Sequence, residues 1–331
     1  MEKIKSIAKS LTKSREISLV FVLIILCAAI QLKNNQFLSF ANINDLLVNA
    51  TIMCVLAVGM MSVLLIGGID ISIGSTLALT GMVAALIMRD FPQTPAIVSA
   101  LISIGVGIIC GLVNGLVIAK GGVIPIIATM GFMNIFRGAT YIVSKSQWVH
   151  KEQITPAFQD FTLNSTFGIN NMIVVAAVCF AVFAYFLKFT RTGRKIYAVG
   201  SNAEAAQVSG INISRIKIIV YSIMGGLSGL AGALWVSKYA SAQGDSGKGI
   251  EMDIIAACVI GGVSLNGGKG TMLGVVLGCL TLGILNNALP LINVSSFWQD
   301  AIKGLIIITA IILNVLTQRT LDKNNLKRRE L

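Results

Sequence analysis

The sequence predicts an all-α, polytopic membrane protein. Four observations carry that prediction. Of 331 residues, 55% are hydrophobic and only 12% are charged, whereas a soluble domain carries about 25% charged residues. Mean hydropathy is +0.83, so too little polar surface remains to cover a water-soluble globule. Apolar stretches of the roughly 20 residues needed to cross a bilayer recur about ten times. Finally, 33 glycines against 5 prolines fit helices packed closely through small residues.

The apolar stretches centre near residues 25, 56, 79, 108, 133, 181, 227, 259, 280 and 307. The first, ISLVFVLIILCAAI, follows the basic segment MEKIKSIAKSLTKSRE. That pairing resembles a signal peptide. QLKNNQF follows in place of a small-residue cleavage site, so the segment is expected to remain as the first span. The eighth stretch is short and ends in glycines, which predicts a re-entrant segment. The whole chain, 1–331, is expected to form a single membrane domain.

Net charge is +12, from 26 Lys+Arg against 14 Asp+Glu. In a soluble protein that balance would point to nucleic acid. Here the cations gather in a basic tail at 1–16, an internal loop at 191–217 and a basic tail at 318–331. Such clustering is the mark of cytoplasmic loops, and nucleic acid is not an expected partner. Six spans separate the first two clusters and four separate the last two. Both numbers are even, so the three regions share one side and both termini are cytoplasmic. The loop Ser144–Asn171 then faces outside. The expected location is the bacterial inner membrane, with the lipid bilayer as a partner.

Small residues recur every fourth position in three lines: Gly107, Gly111 and Gly115; Gly225 and Gly229; Gly270, Gly274 and Gly278. This spacing lets helix backbones approach. Two short echoes suggest a repeat, of the inverted kind found in transporters. IGGIDISIG at Ile66–Gly74 resembles IGGVSLNGG at Ile260–Gly268. GLVNGL at Gly111–Leu116 resembles GILNNA at Gly283–Ala288.

Asp70 lies in GGID, inside apolar surroundings. A charge at the bilayer centre costs roughly 2.5–3.5 kcal/mol on insertion scales. Two readings fit. Gly67 and Gly68 end one helix while Asp70 caps the next, or the break lines a translocation pathway. Arg137, in GFMNIFRGATYIV, has two readings as well. It snorkels to the outer surface, or it pairs with a buried acid or lines the pathway.

Catalytic chemistry is missing from the pattern. The only histidine is His150, which reads as a solvated loop residue. No cluster offers metal ligands, and no GxSxG elbow occurs. The six cysteines contain no CxxC pair; they read as small buried hydrophobes, with no disulfide framework. GGVSLNGGKGT at 261–271 approaches a phosphate loop but fails it twice. Val263 replaces the first glycine, and Gly270 replaces the Ser or Thr after Lys269.

In the internal loop, Asn202 or Ser201 can cap a short helix, AEAAQVS, which Gly210 can end. EAAQVSG resembles the EAA-x-x-x-G core of the coupling loop in permease subunits of bacterial ABC importers, at Glu204, Ala205, Ala206 and Gly210, with Ala203 opening the helix. The Leu-Pro ending of the fuller pattern is missing, as in the simple-sugar branch. GGIDISIGS at 67–75, GIEMDIIAACVIGGVSLNGGKGT at 249–271 and NNALPLINVSSFWQ at 286–299 are similar to that branch as well. The resemblance runs from about Phe37 to Asn314. WVSKYA and ACVIGGVS lean toward its rhamnose and autoinducer-2 members.

This resemblance implies a permease of about ten spans that imports a ribose-, rhamnose- or autoinducer-2-type solute. It implies a second permease copy or paralogue, a cytoplasmic ATPase subunit and an extracytoplasmic substrate-binding protein. No cofactor is then expected on this chain, since ATP and Mg belong to the partner ATPase. The chain itself is expected to be a transport subunit, not an enzyme. Pathway candidates are Asp70, Asn114, Asn134, Arg137, Asn286, Asn287 and Gln299; for the uncharged ones, interhelical hydrogen bonding competes with that role. The alternative is an ion-coupled secondary transporter, which needs intramembrane acids and finds few beyond Asp70, Glu251 and Asp253.

Overall fold

Helices dominate because a bilayer offers backbone groups no partner outside the chain. The computed structural model describes residues 15–312, except 167, 296, 300, 303, 306, 307, 310 and 311. Apart from Arg15 and Glu16, the two basic tails lie outside the described residues.

Helix α1 is Arg15–Lys33, followed by α2 (Phe40–Leu65), α3 (Ile73–Asp90), α4 (Ala96–Lys120) and α5 (Pro125–Val143). A loop then carries α6 (Pro156–Leu163) and a two-stranded hairpin, β1 (Ser165–Thr166) and β2 (Ile169–Asn170). Next come α7 (Asn171–Phe189), α8 (Arg191–Ser201), α9 (Ala203–Val208), α10 (Ile213–Tyr239), α11 (Ile250–Ile260) and α12 (Met272–Leu291). Seven of these are long and apolar enough to cross a membrane: α2, α3, α4, α5, α7, α10 and α12. With α1 and α11 they account for the first nine expected segments. The tenth falls on the partly described stretch 297–312, whose described residues are helical.

Side-chain caps fix where several helices start. Ser39 accepts from Asn42 N, Asn170 from Met172 N, Asn212 from Arg215 N and Thr271 from Gly274 N. Each satisfies a donor that the first turn leaves open. Helix α2 is buried on all sides from Ala50 to Leu65, as expected of a helix apolar all round. It runs through the middle of the bundle, beside α10 and α12.

The three glycine lines form two helix seams. A Cβ at Gly107 would overlap the Gly225 carbonyl, one at Gly111 the Tyr221 carbonyl, and one at Gly229 the Ser103 carbonyl. This is the α4–α10 seam. Gly274 and Gly278 press in the same way on the Gly261 and Ala257 carbonyls, joining α11 to α12. Gly270 departs from its line. It precedes α12 and packs on Val263.

Helix α11 has 11 residues, about 16 Å, against roughly 30 Å of hydrocarbon. The eighth segment is therefore a half-helix. The chain reaches it from the end of α10 through the non-helical stretch 240–249, whose Gly247 packs against Gly74 and Leu77 of α3. The two sequence echoes share a turn. Gly67 N and Gly68 N donate to the Leu64 and Val63 carbonyls, and Gly262 N and Val263 N donate to those of Val259 and Cys258. Both form the glycine-ended Schellman pattern, offset by one residue. Gly67 (φ +71°) and Gly262 (φ +91°) supply the left-handed residue.

Candidate functional site

Irregular backbone at membrane depth survives only where its polar groups find partners or line a cavity. The stretch 240–249 does both. Arg137 Nη1 donates to the carbonyls of Gly244 (2.8 Å) and Ser246 (2.9 Å). The Tyr141 ring, one turn further along α5, packs where a Cβ on Gly244 would lie. Ala242 and Val149 exchange both backbone hydrogen bonds, at 3.0 Å each. Arg137 thus neither snorkels free nor, among the described residues, pairs directly with an acid; it clamps the irregular loop. Removing it would leave two carbonyls without a charged donor, at about 1.5–3 kcal/mol each. Arg137→Ala is expected to lower the unfolding temperature of the purified chain, with Arg137→Lys recovering only part, because an ammonium lacks the planar fork. An unchanged unfolding temperature for Arg137→Ala would contradict the clamp.

The other face of the loop opens a cavity of about 1060 Å³, bordered by Trp235, Tyr239, Gln243, residues 245–250 and Gly304. A second cavity of about 260 Å³ continues it. The two share Trp235, Tyr239, Ile250 and Asp253. The smaller chamber adds Asn49 and Met53 from α2, Lys238 from α10, and Gly283, Asn286 and Asn287 from α12. Asn49 lies nine residues into α2, about 14 Å along it, so the chamber reaches well inside the bundle. Trp235 and Tyr239 share one helix face with ring centres 4.6 Å apart. The Lys238 ammonium stands 5.0 Å from the Tyr239 ring centre.

The two adjacent asparagines divide. Asn287 exchanges side-chain hydrogen bonds with Asn42, both at 3.1 Å, which ties α12 to α2. The Asn286 carbonyl oxygen is buried with no hydrogen-bond partner among the described residues. Asn114, at the matching place of the other echo, also has an unpartnered buried oxygen. Gln299 donates to the Val294 carbonyl of its own turn (2.8 Å). Asn134 is exposed on α5 and donates to Met130 O one turn back (3.2 Å); it lines neither cavity.

A separate polar cluster surrounds Asp70, which is 2% exposed. Its Oδ1 accepts from Ser72 N (2.9 Å) and Ser72 Oγ (2.6 Å), and Asn114 Nδ2 donates to that Oγ (2.8 Å). Thr129 Oγ1 accepts from Ile71 N, and Tyr221 OH donates to Ile69 O. The capping expectation needs correction. Ser72 holds the cap position of α3 and makes no side-chain cap bond. Asp70 instead closes an Asx turn onto Ser72 just ahead of the helix. Asn114 is six residues from the end of α4, so this cluster lies about 9 Å inside the opposite end of the bundle from the funnel that the two cavities form. Between cluster and chamber α2 contributes Leu56, Met60, Met61 and Leu64, all fully buried.

Beyond Asp70, at that end of the bundle, lie α8 and α9. Asn202 caps α9 by accepting from Ala205 N (2.9 Å). Gly210, at φ +79°, ends it as Ile211 N donates to Ala206 O. Ala206 is buried, whereas Ala203, Glu204 and Ala205 are exposed, and Val208 is 90% exposed. Helix α8 was legible only as a basic flank. It buries Ile196 and Val199, and its Gly200 meets the Leu65 carbonyl and Gly268 N so closely that no Cβ fits. Tyr197 OH donates to Gly270 O (2.9 Å), with burial pushing its phenol up and keeping it a donor. The glycines of GGVSLNGGKGT therefore serve chain packing, with Gly268 N donating to Leu65 O (2.9 Å).

Residues 42–311 match the family described as the branched-chain amino acid transport system / permease component. The chain belongs to this permease family. It is 38% identical to the ribose import permease protein RbsC of Escherichia coli K12, over 89% of this chain and 92% of that protein. It is 35% identical to the L-arabinose ABC transporter permease protein AraH of Azospirillum brasilense, covering 89% and 86%. It is 29% identical to the autoinducer 2 import system permease protein LsrC of Enterobacter sp. 638, covering 96% and 91%. No solved structure matches the chain. Permeases of this kind act with an ATPase and a substrate-binding protein.

Sequence reasoning missed Asn49, Trp235, Lys238 and Tyr239 as parts of a cavity. WVSKYA carried a signal, two aromatics four apart with a lysine between, but it reads equally as an interfacial helix end.

Proposed function

We propose that this chain is the membrane subunit of an ATP-driven importer for a monosaccharide or similar polar solute, in the bacterial inner membrane. The observation that carries the reading is the 38% identity to a ribose import permease over nearly its whole length. The geometry is compatible. The funnel opens at the end of the bundle that carries loop 144–170, where an extracytoplasmic binding protein would deliver solute. The exposed α9, with Glu204, Ala205 and Val208, lies at the other end, where a cytoplasmic ATPase would dock, and both termini are then cytoplasmic. ATP and Mg stay on that ATPase, and this chain performs no chemistry of its own. A second permease copy or paralogue completes the pathway.

Contacts run without a gap from the docking end to the funnel. Gly200 of α8 meets Leu65, where α2 breaks. The break leads through Asp70 and Ser72 to Gly74, and Gly74 meets the Gly247 carbonyl of the funnel loop. ATPase closure that shifts α8 would reach that loop through packed backbone, with no slack side chains between.

The substrate class is tested by uptake. Cells expressing the permease with its ATPase and binding protein should accumulate at least one of labelled D-ribose, L-arabinose and D-galactose. Accumulation of L-leucine and of none of the sugars would overturn the reading. Orientation is tested separately. Gln147 is exposed in the loop, so Gln147→Cys is expected to react with an impermeant thiol reagent in intact cells. Labelling only after permeabilisation would reverse the topology.

A further inference from the structure

We propose that the 260 Å³ chamber is a binding site for one uncharged, polyhydroxylated ring, held by the amides of Asn49 and Asn286 against the Trp235–Tyr239 pair. The inference rests on the importer reading above and adds a station for the solute inside the permease itself.

Size comes first. Small-molecule pockets run to roughly 300–1,000 Å³, so a chamber of 260 Å³ admits a single small ring and excludes longer oligomers. Its outer neighbour, at 1060 Å³, is too wide to grip such a solute, so solute selection falls to the chamber.

Polarity comes next. An asparagine amide offers two donors and an acceptor, which matches hydroxyl groups that each donate and accept. Asn49 makes no side-chain hydrogen bond among the described residues, and the Asn286 oxygen is buried without a partner. A buried polar atom left unpaired costs about 1–3 kcal/mol; a hydroxyl of a bound solute would satisfy it. Asn287, already paired with Asn42, holds the wall in place.

Among the described residues that line the chamber, one cation stands with one anion, so those walls favour neither an anion nor a cation. Lys238 lines the chamber together with Asp253. Glu251 and Asp253 also occupy the first turn of α11, where they offset the positive end of that half-helix. The Trp235 and Tyr239 rings offer an apolar face to the C–H face of a sugar ring, with polar edges beside it.

The test uses cells that express the full importer and whichever of D-ribose, L-arabinose and D-galactose the unsubstituted permease accumulates. Asn286→Leu and Asn49→Leu keep the volume and remove the hydrogen bonds. Each is expected to lower uptake below saturation about tenfold, the effect of one lost hydrogen bond to the solute, while the permease still co-purifies with its ATPase. Asn286→Gln should recover part of the loss, and Asn134→Leu, outside both cavities, should transport normally. If Asn286→Leu fails to assemble, Asn49→Leu, at an exposed position, decides. Normal uptake by the assembled leucine variants overturns the chamber and leaves the importer reading intact. Failure of the unsubstituted permease to take up any of the sugars overturns that reading instead.

Discussion

Gly107→Leu is expected to remove most of the permease from the membrane, while Gly105→Leu, two residues earlier on the same helix, leaves its level nearly unchanged. A Cβ at Gly107 meets the Gly225 carbonyl and lies 2.9 Å from Gly229 N; one at Gly105 has nothing within 4 Å. Overpacking a well-packed core typically costs about 1–3 kcal/mol. Here the obstacle is backbone, which cannot rotate away as a side chain can, so the cost should reach the top of that range or pass it. Folded monomer in mild detergent, measured by size exclusion, is the readout. Equal levels for the two variants would show that the α4–α10 seam does not hold the bundle together.

The second large effect is expected at Asp70. Asp70→Leu strips the acceptor from Ser72 N and from the Ser72 hydroxyl proton inside a buried cluster, leaving two donors unsatisfied at about 1–3 kcal/mol each. Its membrane level should collapse. Asp70→Asn keeps an oxygen in the same place and should assemble close to normally. Uptake then separates the two readings of this carboxylate. A turn-forming role predicts near-normal transport for Asn. A well-assembled Asn variant that fails to transport would instead assign the negative charge itself to the pathway. The Asx turn onto Ser72, well away from the chamber, favours the first outcome.

Much of the architecture was legible in the sequence because the bilayer imposes its length on each apolar run. The short eighth segment, the capped helix after Asn202 and the close-packing glycines of α4, α10 and α12 all followed from local rules. The site was less legible. Arg137 looked like a snorkelling cation or a partner for an acid, because nothing local reveals that a loop more than a hundred residues later needs its donors. Asn286 and Asn287 are adjacent and identical in type, yet one pairs with Asn42 and the other faces a cavity. Helical geometry, not composition, separates them. Asn134 looked like its fellow asparagines, and only packing shows it pointing out of the bundle. Asp70 offered itself as a helix cap although the cap position lies two residues later at Ser72, since an Asx turn and a helix cap share the same residue preferences. Helix α8 was hidden by its basic residues, which read as a charged flank but also cover an apolar stripe of Ile196 and Val199.

The central claim is that this permease moves its solute on energy delivered by a partner ATPase at the α8–α9 end. Reconstitution in vesicles tests it most directly. The permease, its ATPase and its binding protein are incorporated, and accumulation of the labelled sugar identified in cells is followed with ATP and Mg on the ATPase side. The account predicts accumulation that requires ATP and the binding protein on opposite faces and is indifferent to collapse of proton and sodium gradients. Accumulation driven by an ion gradient without ATP would contradict it.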